Sequence, residues 1–398
     1  MSEALSSAPP AAPARAPGRS APRWLWLVPV FAVLSLLFVL PWWTLVVSGA
    51  DWPAPVVVAG TVAFAAALVA LPVTMVLGHG PRRVDAAARI GDTLIGVVWV
   101  LFTWSILSLA LRFGLFLAGV DNPDRSRITA VGTAAVVLVL LLWGYREAMR
   151  VPRIRRVDVT LPRLGRGLDG TTVAVLADTH YGPIDRARWS AGVTEAVNAL
   201  GPDIVVHAGD IADGTVARRL AQAAPLGEIR ATLARVYVTG NHEYSDEAQG
   251  WLDHMAHLGW DALHNRHVVV ERGGDRLVLA GVDDATARSS GLAGHGANVA
   301  AAVAGADPDL PVLLVAHQPK QIPAAVEAGV DLQVSGHTHG GQIWPFNLLV
   351  RLDQPSVRGL SRHSERTQLY TSGGAGFWGP PLRIFAPSEI TLLTLRAA

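Results

Sequence analysis

Five short segments of this chain carry side chains able to hold metal ions. They are Asp178-Thr-His180, Gly209-Asp210-Ile-Ala-Asp213, Gly240-Asn241-His242-Glu243, Ala316-His317 and Gly336-His337-Thr-His339-Gly-Gly. Their donors are carboxylate or amide oxygens and imidazole nitrogens. That set suits Mn, Fe or Zn and, less well, Mg. The 398 residues include no cysteine, which excludes thiolate metal sites, disulfides and cysteine nucleophiles. Two divalent ions about 3.5–4 Å apart can bind both the attacking and the leaving oxygen of a phosphoryl group, and they lower the pKa of a bound water. The five segments therefore suggest a two-metal site for phosphoester hydrolysis. One carboxylate must bridge such ions, and Asp210 lies mid-series. Asn241 would add a neutral oxygen that moderates the charge.

The elements that must position these groups are short β-branched runs alternating with amphipathic stretches. Strands are expected at 172–177, 203–207, 235–238, 268–271, 276–280, 312–315, 332–334, 368–371 and 389–395. Helices are expected at 187–200, 216–233, 246–258 and 298–304. Strand and helix alternate early and β structure dominates late, which predicts a layered α/β sandwich with helices outside. Asp178, Asp210, Asn241, His317 and His337 each follow a predicted strand. Open α/β sheets form their ligand crevice at the C-terminal ends of strands, so distant residues can meet there. The remaining histidines match no segment and are read as structural, and Asp283-Asp284 as a turn or a support to the site.

The first half differs. Residues 1–23 are rich in Ala, Pro and Ser and predict a disordered cytoplasmic tail. Four apolar spans follow near 24–47, 56–78, 94–120 and 128–145, and a helix needs about 20 apolar residues to cross a bilayer. Arginines mark the tail, the second loop (Arg82, Arg83, Arg89) and the stretch after the fourth span (Arg146 to Arg156) as cytoplasmic. This predicts a multi-pass integral membrane protein in contact with the bilayer, with four transmembrane helices over 24–145, a juxtamembrane linker over 146–170 and a cytoplasmic catalytic domain over 171–398. Arg112, inside the third span, is read as facing the helix bundle or snorkelling. A net charge of +1 lacks the basic excess of a nucleic-acid binder, so no nucleic-acid partner is expected.

The five segments resemble the signature of the calcineurin-like metallophosphoesterases: D-x-H, G-D-x-x-D, G-N-H-E, a lone His and G-H-x-H, all in order over 178–339. The resemblance implies an α/β/β/α sandwich. It implies Asp178, His180 and His339 as ligands of a first divalent ion, Asp210 as the bridge, and Asn241, His317 and His337 as ligands of a second. His242 is then not a ligand. It acts as general acid or stabilises transition-state charge, oriented by Asp213, while a metal-bound hydroxide attacks phosphorus in line. Gly214 stands where protein phosphatases of this superfamily carry a phosphate-clamping arginine, which argues against that activity. The ending from Leu369 through Ser388-Glu-Ile is similar to a bacterial membrane-linked branch of phosphodiesterases and phosphohydrolases, some acting on lipid-linked substrates. The implied substrate is a phosphomonoester or phosphodiester near the membrane. The rival reading is a membrane sensor or transporter with a regulatory metal-binding domain, disfavoured by the scarcity of polar groups in the spans.

Overall fold

The computed structural model describes residues 27–398. The expected tail and the start of the first expected span lie outside the described residues.

Four apolar helices come first: α1 (Leu27–Trp42), continued by a turn of π-helix to Val47, α2 (Ala54–His79), α3 (Asp85–Leu117) and α4 (Asp124–Met149). Among the described residues three of them, α2, α3 and α4, are long and apolar enough to cross a membrane, rather than the four expected. The described part of α1 is 16 residues, about 24 Å at 1.5 Å per residue, which falls short of a hydrocarbon core of about 30 Å. Large apolar side chains face outward along these helices, among them Val62, Val69, Val76, Phe113 and Leu117. Arg112 faces inward. It donates to Ser126 Oγ (2.8 Å) and to the Ser48 carbonyl (2.9 Å) and lies over the Trp43 ring.

Only Arg150–Pro152 separate α4 from β1 (Arg153–Leu161). Part of the expected linker is therefore a sheet strand. β1 pairs in parallel with β12 (Glu389–Ala397) along all nine residues, Arg153 to Leu161. Its alternation leaves Val159 and Leu161 buried and Arg156 and Asp158 outward.

β2 (Thr172–Leu176), β3 (Ile204–Ala208), β4 (Ala234–Val238) and β5 (Asp261–Ala262) complete the first sheet, in the order β1-β12-β2-β3-β4-β5. The second sheet contains β6 (Arg266–Arg272), β7 (Asp275–Gly281), β8 (Val312–Val315), β9 (Leu332–Ser335), β10 (Gly359–Arg362) and β11 (Gln368–Thr371), in the order β10-β11-β9-β8-β7-β6. The inward faces meet in one core: Val173, Val175, Val206 and Val238 from the first sheet against Leu279, Leu313, Val315 and Val334 from the second. Helices α5 (Ala187–Leu200), α6 (Val216–Ala223), α7 (Asn241–Asp246) and α8 (Ala248–His257) follow strands of the first sheet. Trp189, Val193, Trp251 and Met255 pack on its outer face. Val299, Ala302, Ile322 and Ala325 cover the second sheet. The result is the expected α/β/β/α layering.

The sandwich is docked on the apolar helices. Val100 of α3 and Val137 and Leu140 of α4 bury against Ile343, Leu382 and Ile384. Gly144 lets the loop approach α4 so closely that the Arg383 N–H bonds the Gly144 carbonyl at 2.9 Å.

Candidate metal centre

β2, β3, β4, β8 and β9 end side by side, and the five segments follow their C-terminal ends. Asp178, His180, Asp210, His337 and His339 all have positive φ, between 42° and 72°. This backbone region is costly for residues with a Cβ and clusters where the surroundings impose it. Gly240 must lack a side chain, because a Cβ there would fall on Asp210 Oδ1 and the Asp210 backbone nitrogen. A Cβ on Gly336 would sit 2.7 Å from Asp178 Oδ2.

These turns bring the expected donors together. Asp178, His180 and His339 form one group whose donor atoms all lie within 4.8 Å of one another, and Asp210, His317 and His337 form another. Asp210 lies between them, with Oδ2 3.4 Å from His180 Nε2 and 3.2 Å from His317 Nε2. Asn241 Oδ1 is 3.2 Å from His317 Nε2. His317 Nδ1 faces the Ala208 carbonyl at 2.7 Å. Donation there fixes the tautomer and leaves Nε2 as a lone-pair donor toward the site. Asp178 accepts the His337 N–H at 2.9 Å, tying β2 to the turn after β9.

Asp213 stands beside this set. Its Oδ1 is 3.0 Å from His180 Nδ1 and 2.7 Å from His242 Nδ1. His242 lies next to Asn241, with its ring edge-on to Trp378 at 5.8 Å between centroids. Burial opposes charging the His242 ring, yet the carboxylates of Asp210 and Asp213 raise its pKa to about 10. Burial, with His317 alongside, pushes His337 down to about 3, so it is neutral and can donate a lone pair. A third grouping, His180, Asp210 and His242, also comes within 4.8 Å. His242 Nδ1 is already engaged by Asp213.

A family model for calcineurin-like phosphoesterases matches residues 171–341. A Danio rerio transmembrane protein with metallophosphoesterase domain is 37% identical over 269 residues, 66% of this chain and 62% of that protein. A Bos taurus protein of the same description is 35% identical over 300 residues, 73% of this chain and 67% of its own length. The chain belongs to the calcineurin-like phosphoesterase family. A Helicobacter pylori metallophosphoesterase is also similar, 37% identical over 253 residues, 63% of this chain and 66% of that protein. The chain thus spans about two thirds of the length of these relatives, which are both bacterial and animal.

The donor set of this calcineurin-like phosphoesterase fits divalent ions. Asp178 and Asp210 are 0% and 2% exposed, yet among the described residues neither is ion-paired to a lysine or arginine; their charged-group partners are imidazoles. The ring nitrogens His180 Nε2 and His339 Nε2 face each other at 3.1 Å. Buried carboxylates require compensation, and a cation between these lone pairs would supply it.

Three further residues support the site: Glu243, which closes the Gly240–Glu243 segment, and Arg186 and Arg383, which stand outside the five segments. Glu243 is fully buried and accepts the N–H groups of Asp210 (3.0 Å), Gly240 (2.6 Å) and Ala212 (3.3 Å), so it clamps two of the metal-side turns together. Arg186 donates to the carbonyls of Thr179 and His180. Arg383 donates to the carbonyls of His339 (2.8 Å) and Gly373 (2.7 Å) and faces His339 Nδ1 at 3.2 Å. Burial pulls both guanidinium pKa values down to about 10, which leaves them charged at neutral pH. Asp283 holds a structural knot instead, accepting from His264, Asn265 Nδ2 (3.2 Å) and the Gly296 N–H (2.8 Å).

Proposed function

We propose that the chain is a membrane-anchored, two-metal phosphoesterase acting on a lipid-linked or membrane-proximal substrate from the cytoplasmic side. The observation that carries this is the meeting of Asp178, His180 and His339 in one donor group and Asp210, His317 and His337 in another, with Asn241 against His317 and with His242 and Asp213 alongside. Asp178, His180, Asp210 and His339 would hold one ion, and Asp210, Asn241, His317 and His337 the other. Ions held there would neutralise phosphoryl charge and acidify a water. His242 carries the proton. Asp213 takes its Nδ1–H, which leaves Nε2 to protonate the departing oxygen, and Asp210 accepts the His242 backbone N–H at 3.0 Å to fix the ring's base. Asp213 also steadies His180, so one carboxylate orients both a ligand and the acid.

Membrane anchoring draws support from the outward apolar faces of the helices and from their extension onto the sandwich. Phe346 and Phe385 are exposed beside the docked helices, Phe346 against Trp99 of α3. Phe385 lies 5.5 Å from Trp143 between ring centroids. The arginines of the second loop and those after α4 lie on the side that carries the sandwich: Arg83 pairs with Asp246, and Arg153 opens β1. The positive-inside tendency makes that side cytoplasmic.

The test is hydrolysis by the purified full chain loaded with Mn²⁺, using 4-nitrophenyl phosphate and bis(4-nitrophenyl) phosphate. Asp210→Asn should abolish turnover with loss of bound metal. His242→Ala should lower kcat by about 10²–10⁴-fold with metal retained. Unaltered turnover in both variants would refute the mechanism.

A further inference from the structure

We infer that the turn joining α2 to α3 is one wall of the substrate site, and that the phosphoester is drawn from the adjoining lipid leaflet with its headgroup against that turn. This rests on the phosphoesterase reading above and goes beyond an anchoring role for the helices.

A cavity of about 200 Å³ opens at His242 and Asp213. That is room for roughly seven waters or a polar group of similar bulk. Its catalytic-side lining includes His242, Ser245 and Trp378, and its opposite lining is the end of α2 and start of α3, namely Gly78, His79 and Arg83 with Ala88. One cavity therefore touches both the proposed acid and the helix turn.

The turn is clamped in place by ion pairs. Arg83 pairs with Asp246, at the end of the same short helix that begins with Asn241 and His242. Asp85 takes both terminal nitrogens of Arg219, at 2.8 and 2.9 Å, and one of Arg218 at 3.0 Å. His79 is held by Asp92 of α3 at 2.8 Å and remains 44% exposed along its side chain. Gly78 packs directly on Ala88, so the two helices close without a gap behind the turn.

Outward apolar side chains, the surface a bilayer would cover, begin within a turn of helix. Val76 and Ile90, each within three residues of the lining, are 68% and 53% exposed on the outer faces of α2 and α3. Three residues of helix rise about 4.5 Å. Trp378, 50% exposed, presents an apolar face at the cavity. A molecule reaching His242 past this wall thus meets outward apolar side chains on one side and, on the other, histidines and arginines paired with Asp85 and Asp246. That environment selects an amphiphilic phosphoester over a freely soluble one.

The experiment uses the full Mn²⁺-loaded chain in phosphatidylglycerol nanodiscs. The substrates are hexadecyl 4-nitrophenyl phosphate and methyl 4-nitrophenyl phosphate, which share one reacting centre. Because the chain has no cysteine, Arg83→Cys with Asp246→Cys gives a clean pair for a short bis-maleimide. The expected results are an intramolecular cross-link, and a hexadecyl-to-methyl ratio of kcat/KM that falls about tenfold in Ser245→Trp. Arg83→Ala should lower the ratio as well, and Arg83→Lys should restore it. A pair that does not cross-link, or variants that lose both substrates in proportion, overturns the wall. A double-cysteine variant that cross-links, with a parent chain that hydrolyses neither ester, refutes the phosphoesterase reading and leaves the wall standing.

Discussion

Glu243→Gln should unsettle the centre without touching any expected ligand. The carboxylate is fully buried, with Oε2 accepting the Asp210 and Gly240 N–H groups and Oε1 accepting that of Ala212. A glutamine keeps one acceptor oxygen. If it serves Asp210 and Gly240, the new NH₂ points at the Ala212 N–H, donor against donor. One hydrogen bond is lost, a buried donor is left unsatisfied at about 1–3 kcal/mol, and the two remaining bonds lose their charge assistance. The sum is about 3 kcal/mol. For a domain of 150–250 residues each kcal/mol moves the melting temperature by about 2–4 °C, so the shift should be about 6–12 °C downward. The same change loosens Asp210 against Asn241, so metal affinity should fall with stability. Differential scanning fluorimetry of the detergent-solubilised chain, with metal content measured by mass spectrometry, reads both. A variant that melts within 2 °C of the parent and keeps its metal would show that Glu243 is not a clamp.

Three other outcomes follow from the contacts. Gly240→Ala places a methyl on Asp210 Oδ1, so the purified variant should carry little metal while its overall circular dichroism resembles the parent's. Burial opposes ionisation of Glu389, but Arg358 and the Gly373 N–H outweigh it and hold its pKa below the usual glutamate value. Its contribution to stability is therefore present above that usual value and lost as pH falls through the folded-state pKa. Glu389→Gln should cost about 2 kcal/mol at pH 7 and flatten the fall in melting temperature between pH 5 and 3; an unaltered slope would rule Glu389 out as its source. Gly144→Leu favours helix formation in isolation, yet its Cβ would lie 2.7 Å from Ile384 Cγ1. Limited trypsin digestion should cut faster at Arg150 and Arg153 in that variant, and equal rates would show that α4 does not hold the loop.

The sequence was most readable where one element is defined by its own residues. The apolar run Thr172–Leu176 and the helix Ala187–Leu200 stand almost where periodicity puts them. The nine candidate site residues, in five segments that each follow a predicted strand, are brought to one end of the two sheets. β1 was hidden because it is an edge strand whose outward positions hold Arg156 and Asp158, so it reads as a charged linker until β12, more than 200 residues later, is known to pair with it. Arg186 and Arg383 were hidden because their partners are mostly backbone carbonyls, which carry no residue signature. The Arg83–Asp246 pair joins positions 163 residues apart. No local pattern encodes such a meeting; only the docking of sandwich on helices creates it.

The three-residue connector between α4 and β1 has a mechanical meaning. Three extended residues reach at most about 11 Å, and the next nine are bound in a sheet. A catalytic head on so short a neck cannot swing. It works at one altitude, and the lipid-linked substrate proposed above would come to that height by diffusing in the plane. Turnover should then follow the surface density of substrate rather than its bulk concentration.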